Sequence, residues 1–206
     1  MKKFYTVLGL SNSDPKSKYV NEFGEEYPKC REEVYFPITA FISSVVNEDE
    51  PFILYAIDSG QNVNTERKAK LLENEIDYYF KGKCDFRYLE ANLESNTKGQ
   101  VETFKKIYNT FIDDNYDQYE IYFDITFGFR PTPMTIFVAC NYAEKFLNNV
   151  KIKNLIYSQY NHDDPKGAQT IIDITSLYLL NNLIDTLSIL KSSKPMDFID
   201  KVFKLD

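Results

Sequence analysis

The sequence predicts an α/β fold: a Rossmann-like, mostly parallel sheet flanked by helices on both faces, with a short β-hairpin after the first strand. Three observations predict it. Short apolar runs rich in β-branched and aromatic residues alternate with longer stretches of helical spacing, the order that builds parallel strand–helix units. The run from Tyr119 to Thr126 is apolar and aromatic along most of its length, as a buried strand is. That run leads into Pro131 and Pro133, which suit the first turn of a helix because their missing N–H groups would be unpaired there.

Taken in order, Lys3 to Leu10 reads as the first strand, with Phe4, Val7 and Leu8 as its body. It opens into a polar loop, Ser11-Asn12-Ser13-Asp14-Pro15-Lys16-Ser17-Lys18, and Tyr19 to Tyr27 reads as a hairpin around Gly24. Pro37 starts a helix through Ile38, Phe41, Ile42 and Val45. Glu50 to Asp58 is the second core strand. Thr65 to Phe80 is a helix with Leu72, Ile76, Tyr79 and Phe80 on one face. Cys84 to Ala91 is a third strand. Lys98 to Asp113 is a helix whose Val101, Phe104, Tyr108, Phe111 and Ile112 are expected to face inward. The central strand covers about 119–126. Its helix, about 131–147, is expected to bury Met134, Phe137, Val138, Tyr142 and Phe146. Lys151 to Tyr157 is a fifth strand, Thr170 to Ile174 a short further one, and Thr175 to Lys191 the last long helix. The chain therefore reads as one domain over 1–191, with 192–206 a short C-terminal tail or linker.

Composition narrows the function classes. The chain has 206 residues, 43% hydrophobic and 16% aromatic, enough for a sizeable core. The net charge is −7, and no block rich in lysine or arginine stands out, so duplex nucleic acid is not expected as a partner. A small anion in a local pocket remains compatible with that total. Cys30, Cys84 and Cys140 are odd in number and far apart, with no CxxC spacing; they read as reduced thiols of a cytoplasmic protein. Met1-Lys2-Lys3 runs straight into a strand instead of a signal peptide, and no apolar run is long enough for a membrane span.

In a doubly wound sheet the first and central strands lie side by side, and the ligand crevice sits outside their carboxyl ends. Here those ends carry Ser11-Asn12-Ser13 and Thr126-Phe127-Gly128-Phe129-Arg130, the two most polar strand exits. The N–H groups of the helix that follows favour an anion there. Asp124 is open to two readings: an acid or base, or an acceptor for the N–H groups of its own turn. Tyr19 and Phe129 are placed to stack on a base. No G-x-G-x-x-G and no G-x-x-x-x-G-K-S/T occurs, which disfavours a dinucleotide cofactor or an NTPase, and no cofactor is expected. His162 with Asp163 and Asp164 is the sole combination that suggests a metal, and a solvated turn suits it better; no metal is expected.

The run Asp124-Ile125-Thr126-Phe127-Gly128-Phe129-Arg130-Pro131-Thr132-Pro133-Met134 resembles the Asp-x-Thr-His-Gly-Phe-Arg-x-x-Pro-Met signature of CRISPR-associated Rossmann fold (CARF) domains. Gly9-Leu10-Ser11 after the first strand, Tyr19 to Tyr27, Tyr35-Phe36-Pro37 and Ile172-Asp173-Ile174-Thr175 follow the same family's order, over roughly residues 3 to 190. The resemblance implies a nucleotide-binding sensor of cyclic oligoadenylates, cyclic tetra-adenylate or cyclic hexa-adenylate, made in type III CRISPR antiviral defense. It implies a homodimer that holds one ring across a two-fold axis, so that each donor acts twice. It assigns ligand contact to Gly9, Leu10, Ser11, Asn12, Ser13 and Tyr19 on one wall, and to Asp124, Thr126, Phe127, Gly128, Phe129 and Arg130 on the other. Phe127 departs from the signature, which has His there; a possible proton-transfer group is missing. Family members usually carry an effector domain, often a ribonuclease. Ser192 to Asp206 is too short to hold one, and the only histidine is His162, so an effector domain or protein would lie elsewhere. Two other readings stay open. One is a metal-independent ring nuclease, in which the ligand's own 2′-hydroxyl attacks its phosphodiester with Ser11, Ser13 or Arg130 assisting. The other is an α/β protein that binds a different nucleotide.

Overall fold

The computed structural model describes residues 1–206 except 10–14, 29, 31, 59–62, 92–95, 113–116, 128–130, 161–163, 165–166, 192 and 204–206. The chain opens with β1 (Lys2–Leu8) and passes through a short β2 (Tyr19–Asn21) to α1 (Pro37–Val45). β3 (Phe52–Asp58), α2 (Val63–Phe80), β4 (Cys84–Glu90) and α3 (Thr97–Ile112) follow. Then come β5 (Tyr119–Asp124), α4 (Pro131–Phe146), β6 (Val150–Gln159), β7 (Gln169–Asp173), α5 (Thr175–Ile189) and α6 (Pro195–Phe203).

Among the described residues the strands form one seven-stranded sheet in the order β2-β7-β6-β5-β1-β3-β4. β1 pairs in parallel with β3 on one side and β5 on the other, with Thr6 opposite Asp124. The winding thus reverses between β1 and β5, as a Rossmann-like fold requires. β7 runs antiparallel to β6, and β2 pairs in parallel with β7. The hairpin expected over Tyr19 to Tyr27 is present as a turn, with Val20 bridging Glu26 and Gly24 at φ 79°, but its first arm also closes the sheet as an edge strand.

Both faces of the sheet are covered, so β1 is buried along nearly all of its length. Alternate side chains serve opposite layers. Phe4 and Leu8 pack with α1 and α2 residues such as Ile38, Ile42, Leu72 and Ile76. Tyr5 and Val7 pack on the other side with Ile107, Phe111, Ile136 and Ala139 of α3 and α4. Tyr5 stacks on Tyr55 and Phe123 at 4.8 and 4.5 Å, and its hydroxyl shares a 2.9 Å hydrogen bond with Thr110. No helix among the described residues is long and apolar enough to cross a membrane.

The structure corrects the inward faces of two helices. On α4 the sheet-facing residues are Thr132, Ile136, Ala139, Cys140 and Ala143; Met134, Val138, Tyr142 and Phe146 are exposed, and Phe137 is half-buried. The small side chains let the helix lie close to the sheet. Part of the large stripe turns to the neighbouring helix, where Tyr142 meets Phe104 and Tyr108 edge-on at 5.5 and 5.2 Å. On α3, Thr103, Ile107, Thr110 and Phe111 are buried while Val101 and Ile112 are exposed. Thr110 is buried because it has partners: its carbonyl accepts the Lys3 ammonium at 2.6 Å. The tail beyond 191 contains α6, in which no residue is buried.

Candidate functional site

The carboxyl ends of β1, β5 and β6 and the starts of β2 and β7 lie at one edge of the sheet. A cavity of about 250 Å³ opens there. Gly9 follows β1 and faces Phe127, which follows β5. A Cβ added at Gly9 would stand 3.3 Å from the Cβ and Cγ of Phe127 and 3.4 Å from the Lys68 Nζ of α2. A side chain at Gly9 would fit only if Phe127 gave way by a few tenths of an ångström. The two strand exits expected to meet therefore do meet, at Gly9 and Phe127. Leu10, Ser11, Asn12, Ser13, Gly128, Phe129 and Arg130 lie outside the described residues.

Tyr19, at the start of β2, is buried in the cavity wall. Burial, with the Asp124 and Glu75 charges adding to it, pushes its phenol well above the usual range, so it stays protonated. Thr126 also lines the cavity, but its hydroxyl is committed within the chain. It donates to Asp124 Oδ1 at 2.5 Å and accepts the Ser158 N–H at 2.8 Å, tying the end of β5 to β6. Asp124 lies beneath, fully buried. Its Oδ1 also accepts the Thr126 N–H at 2.9 Å, and its Oδ2 accepts the Thr6 hydroxyl at 2.9 Å. The geometry is that of an aspartate closing its own turn. Burial pushes its carboxyl up, against the pull of the Thr126 and Thr6 hydrogen bonds.

Sequence reasoning missed several wall residues. Ser17, Tyr35, Ser158, Tyr160 and Gln169 come from loops and strand ends that only the sheet order brings together. Lys68 carried a readable signal: it stands four residues before Leu72 and eight before Ile76, in register with the buried stripe of α2. Glu75 is the second missed residue. Its Oε2 accepts the Tyr35 N–H at 2.6 Å, and its Oε1 accepts the Phe36 N–H at 3.3 Å and the Thr39 hydroxyl at 2.6 Å. A side chain of α2 thereby caps α1, whose own N-cap residue, Phe36, makes no side-chain capping bond.

No protein-family model matches the chain, and no curated protein matches it. The chemistry of the cavity is thus read from its walls. Among the described lining residues one side chain, Lys68, is cationic and none is a carboxylate; the rest are aromatic rings, hydroxyls, an amide and small groups. Such a wall suits a ligand with a flat ring and a negative group. Among the described residues no group of three or more His, Cys, Asp or Glu side chains is placed to hold a metal, and His162 and Asp163 lie outside them. A second, larger concavity of about 740 Å³ runs between α3 and α4, lined by Val101, Phe104, Met134, Thr135 and Val138 among others. It has no charged side chain among its described lining residues. Its surface is mostly apolar, with Gln100 and Thr135 as its polar lining residues.

Two buried carboxyls, Asp124 and Glu75, make stability depend on pH in a stated direction. Burial is the largest influence on both Asp124 and Glu75 and raises their folded pKa above the ordinary values of 3.8 and 4.5. The folded state therefore takes up protons before the unfolded state does, and stability rises as pH falls from neutral toward about 4.5. Below that point Glu120, held low first by the Lys153 hydrogen bond, and Glu50, where Lys2 outweighs burial, lose their ion pairs and stability falls again. Urea midpoints measured across this range are expected to peak in mild acid, and Asp124→Asn is expected to flatten the neutral side of the curve.

Proposed function

We propose that the chain is a cyclic oligoadenylate-binding sensor of the CARF type, acting in type III CRISPR antiviral signalling and holding one ring across a homodimer. The observation that carries this reading is the crevice itself. It lies at the switch point between β1 and β5, and the segment that resembles the family signature, 124–134, leaves β5 at that crevice. Its volume of about 250 Å³ falls below the roughly 300–1,000 Å³ of pockets that enclose a drug-sized ligand. Each crevice is then sized for part of a ring, and a second copy supplies the rest. The apolar groove between α3 and α4 supports a two-fold partner, since the helices that form it start at the same edge of the sheet as the crevice. A second copy placed there brings two crevices toward one axis. Binding then biases one arrangement of the dimer over another, which is how a sensor transmits occupancy.

Phe127 stands where the family signature has His, and it gives the wall a ring with no proton to transfer. Retention of radiolabelled cyclic tetra-adenylate or cyclic hexa-adenylate, followed with and without EDTA, tests the reading. Retention of an intact ring supports a sensor. EDTA-insensitive linear products would reassign the protein as a ring nuclease, and retention of neither ring would refute both. Arg130→Ala is expected to weaken ring binding by about 1.5–3 kcal/mol, the value of a charge-assisted hydrogen bond.

A further inference from the structure

We infer that Lys68 is a phosphate-binding residue of the crevice, its ammonium meeting a ligand phosphate between the end of β1 and the ring of Phe127. This assignment rests on reading the crevice as a nucleotide site, and it names a group that holds the anion.

Lys68 is only 3% exposed, yet it lines the cavity. Its place on the buried stripe of α2 carries the side chain inward over the sheet, past Gly9 rather than out to water. Lys3 shows what a purely structural buried lysine does in this fold. Its ammonium ends in the core on the Thr110 carbonyl and 4.1 Å over the Tyr119 ring, away from any described cavity wall. Lys68 lines the crevice instead. It is the one charged side chain among the described lining residues, in a protein whose net charge of −7 repels anions at long range. A local cation is therefore needed to favour a phosphate there.

Several polar groups near the crevice are engaged within the chain. The Thr126 hydroxyl is bound to Asp124 and Ser158, and the Tyr35 and Phe36 N–H groups just before α1 are bound to Glu75. Lys68 also has polar contacts within its own chain, with which a ligand phosphate would compete. The aromatic rings of Tyr19, Tyr35, Phe127 and Tyr160 stand around the same space and suit the base attached to that phosphate.

The test measures binding of labelled cyclic tetra-adenylate, cyclic hexa-adenylate and ATP to wild type, Lys68→Met and Lys68→Arg at low and high salt. Lys68→Met keeps the apolar stem and removes the charge. It is expected to weaken every probe that wild type binds by about tenfold or more and to reduce the salt dependence, while Lys68→Arg keeps most of the affinity. A Lys68→Met protein that binds a ring as tightly as wild type would overturn the assignment and leave the ring sensor standing. Lys68-dependent binding of ATP with no binding of either ring would keep the assignment and refute the cyclic ligand. Binding of no probe would overturn both. If Lys68→Met fails to fold, the same question is answered on wild type carrying ¹⁵N-labelled lysine. The Lys68 ammonium resonance is expected to move on ligand addition, and an unmoved resonance at saturation would overturn the assignment.

Discussion

Replacing Asp124 by alanine lowers the free energy of unfolding by about 3–5 kcal/mol. Three donors end on this carboxylate: the Thr126 N–H, the Thr126 hydroxyl and the Thr6 hydroxyl. Each is left without its acceptor at a buried or half-buried position, at about 1–3 kcal/mol apiece. The lost desolvation cost of the buried charge offsets part of that sum. Asparagine is expected to cost less than about 1.5 kcal/mol, because its carbonyl can take both Thr126 donors while its amide turns to the Thr6 hydroxyl. Urea unfolding of both variants checks this. A loss under about 1 kcal/mol for Asp124→Ala would show that the carboxylate does not hold the turn. The same variant is expected to disorder the crevice, since Thr126 would also lose the partner that aims its oxygen at the Ser158 N–H.

The second large effect is expected at Glu75. Alanine there should cost about 2–4 kcal/mol, because the Tyr35 and Phe36 N–H groups leading into α1 and the Thr39 hydroxyl lose a common acceptor. Glutamine should recover about half of the loss, since one carbonyl oxygen replaces two carboxylate oxygens. The loss should also appear locally, as faster amide hydrogen exchange at Tyr35, Phe36 and Thr39, because α1 has no other side-chain cap. Unchanged exchange at these three amides in Glu75→Ala would refute the capping role.

Much of the fold was legible because its signals are local and periodic. The first and central strands read as apolar runs, and the alternation of strands with helices led to their pairing as β1 and β5. The approach of Gly9, after β1, to Phe127, after β5, agrees with that topology. The errors came where two answers share one period. On α4, a stripe at 134, 138, 142 and 146 and a stripe at 136, 139, 140 and 143 are both helical, and size favoured the first. The sheet takes the second, because small residues permit close approach, and from the first stripe Tyr142 packs on Phe104 and Tyr108 of α3. The start of α6 at Pro195 obeys the usual helix-start rule, yet none of its residues is fully buried, so no core pattern announced it.

The site was legible to a smaller extent. Gly9, Tyr19, Thr126 and Phe127 stand at the crevice as their positions at strand ends suggested. Lys68 and Glu75 were passed over because charged residues on an amphipathic helix read as solvated. Their burial depends on distant segments: the crevice wall that includes Gly9 and Phe127 for one, and Tyr35, Phe36 and Thr39 for the other. Nor does sequence disclose that the Thr126 hydroxyl is already engaged twice, since Ser158 arrives from β6 only in the folded sheet.

The central claim is that two copies of this crevice hold one cyclic oligoadenylate. Calorimetric titration of the purified protein with cyclic tetra-adenylate and with cyclic hexa-adenylate, alongside light scattering of the free protein, tests it most directly. The account predicts a dimer that binds one of the rings at one ring per two chains. A monomer, a stoichiometry of one ring per chain, or no heat with either ring would contradict it.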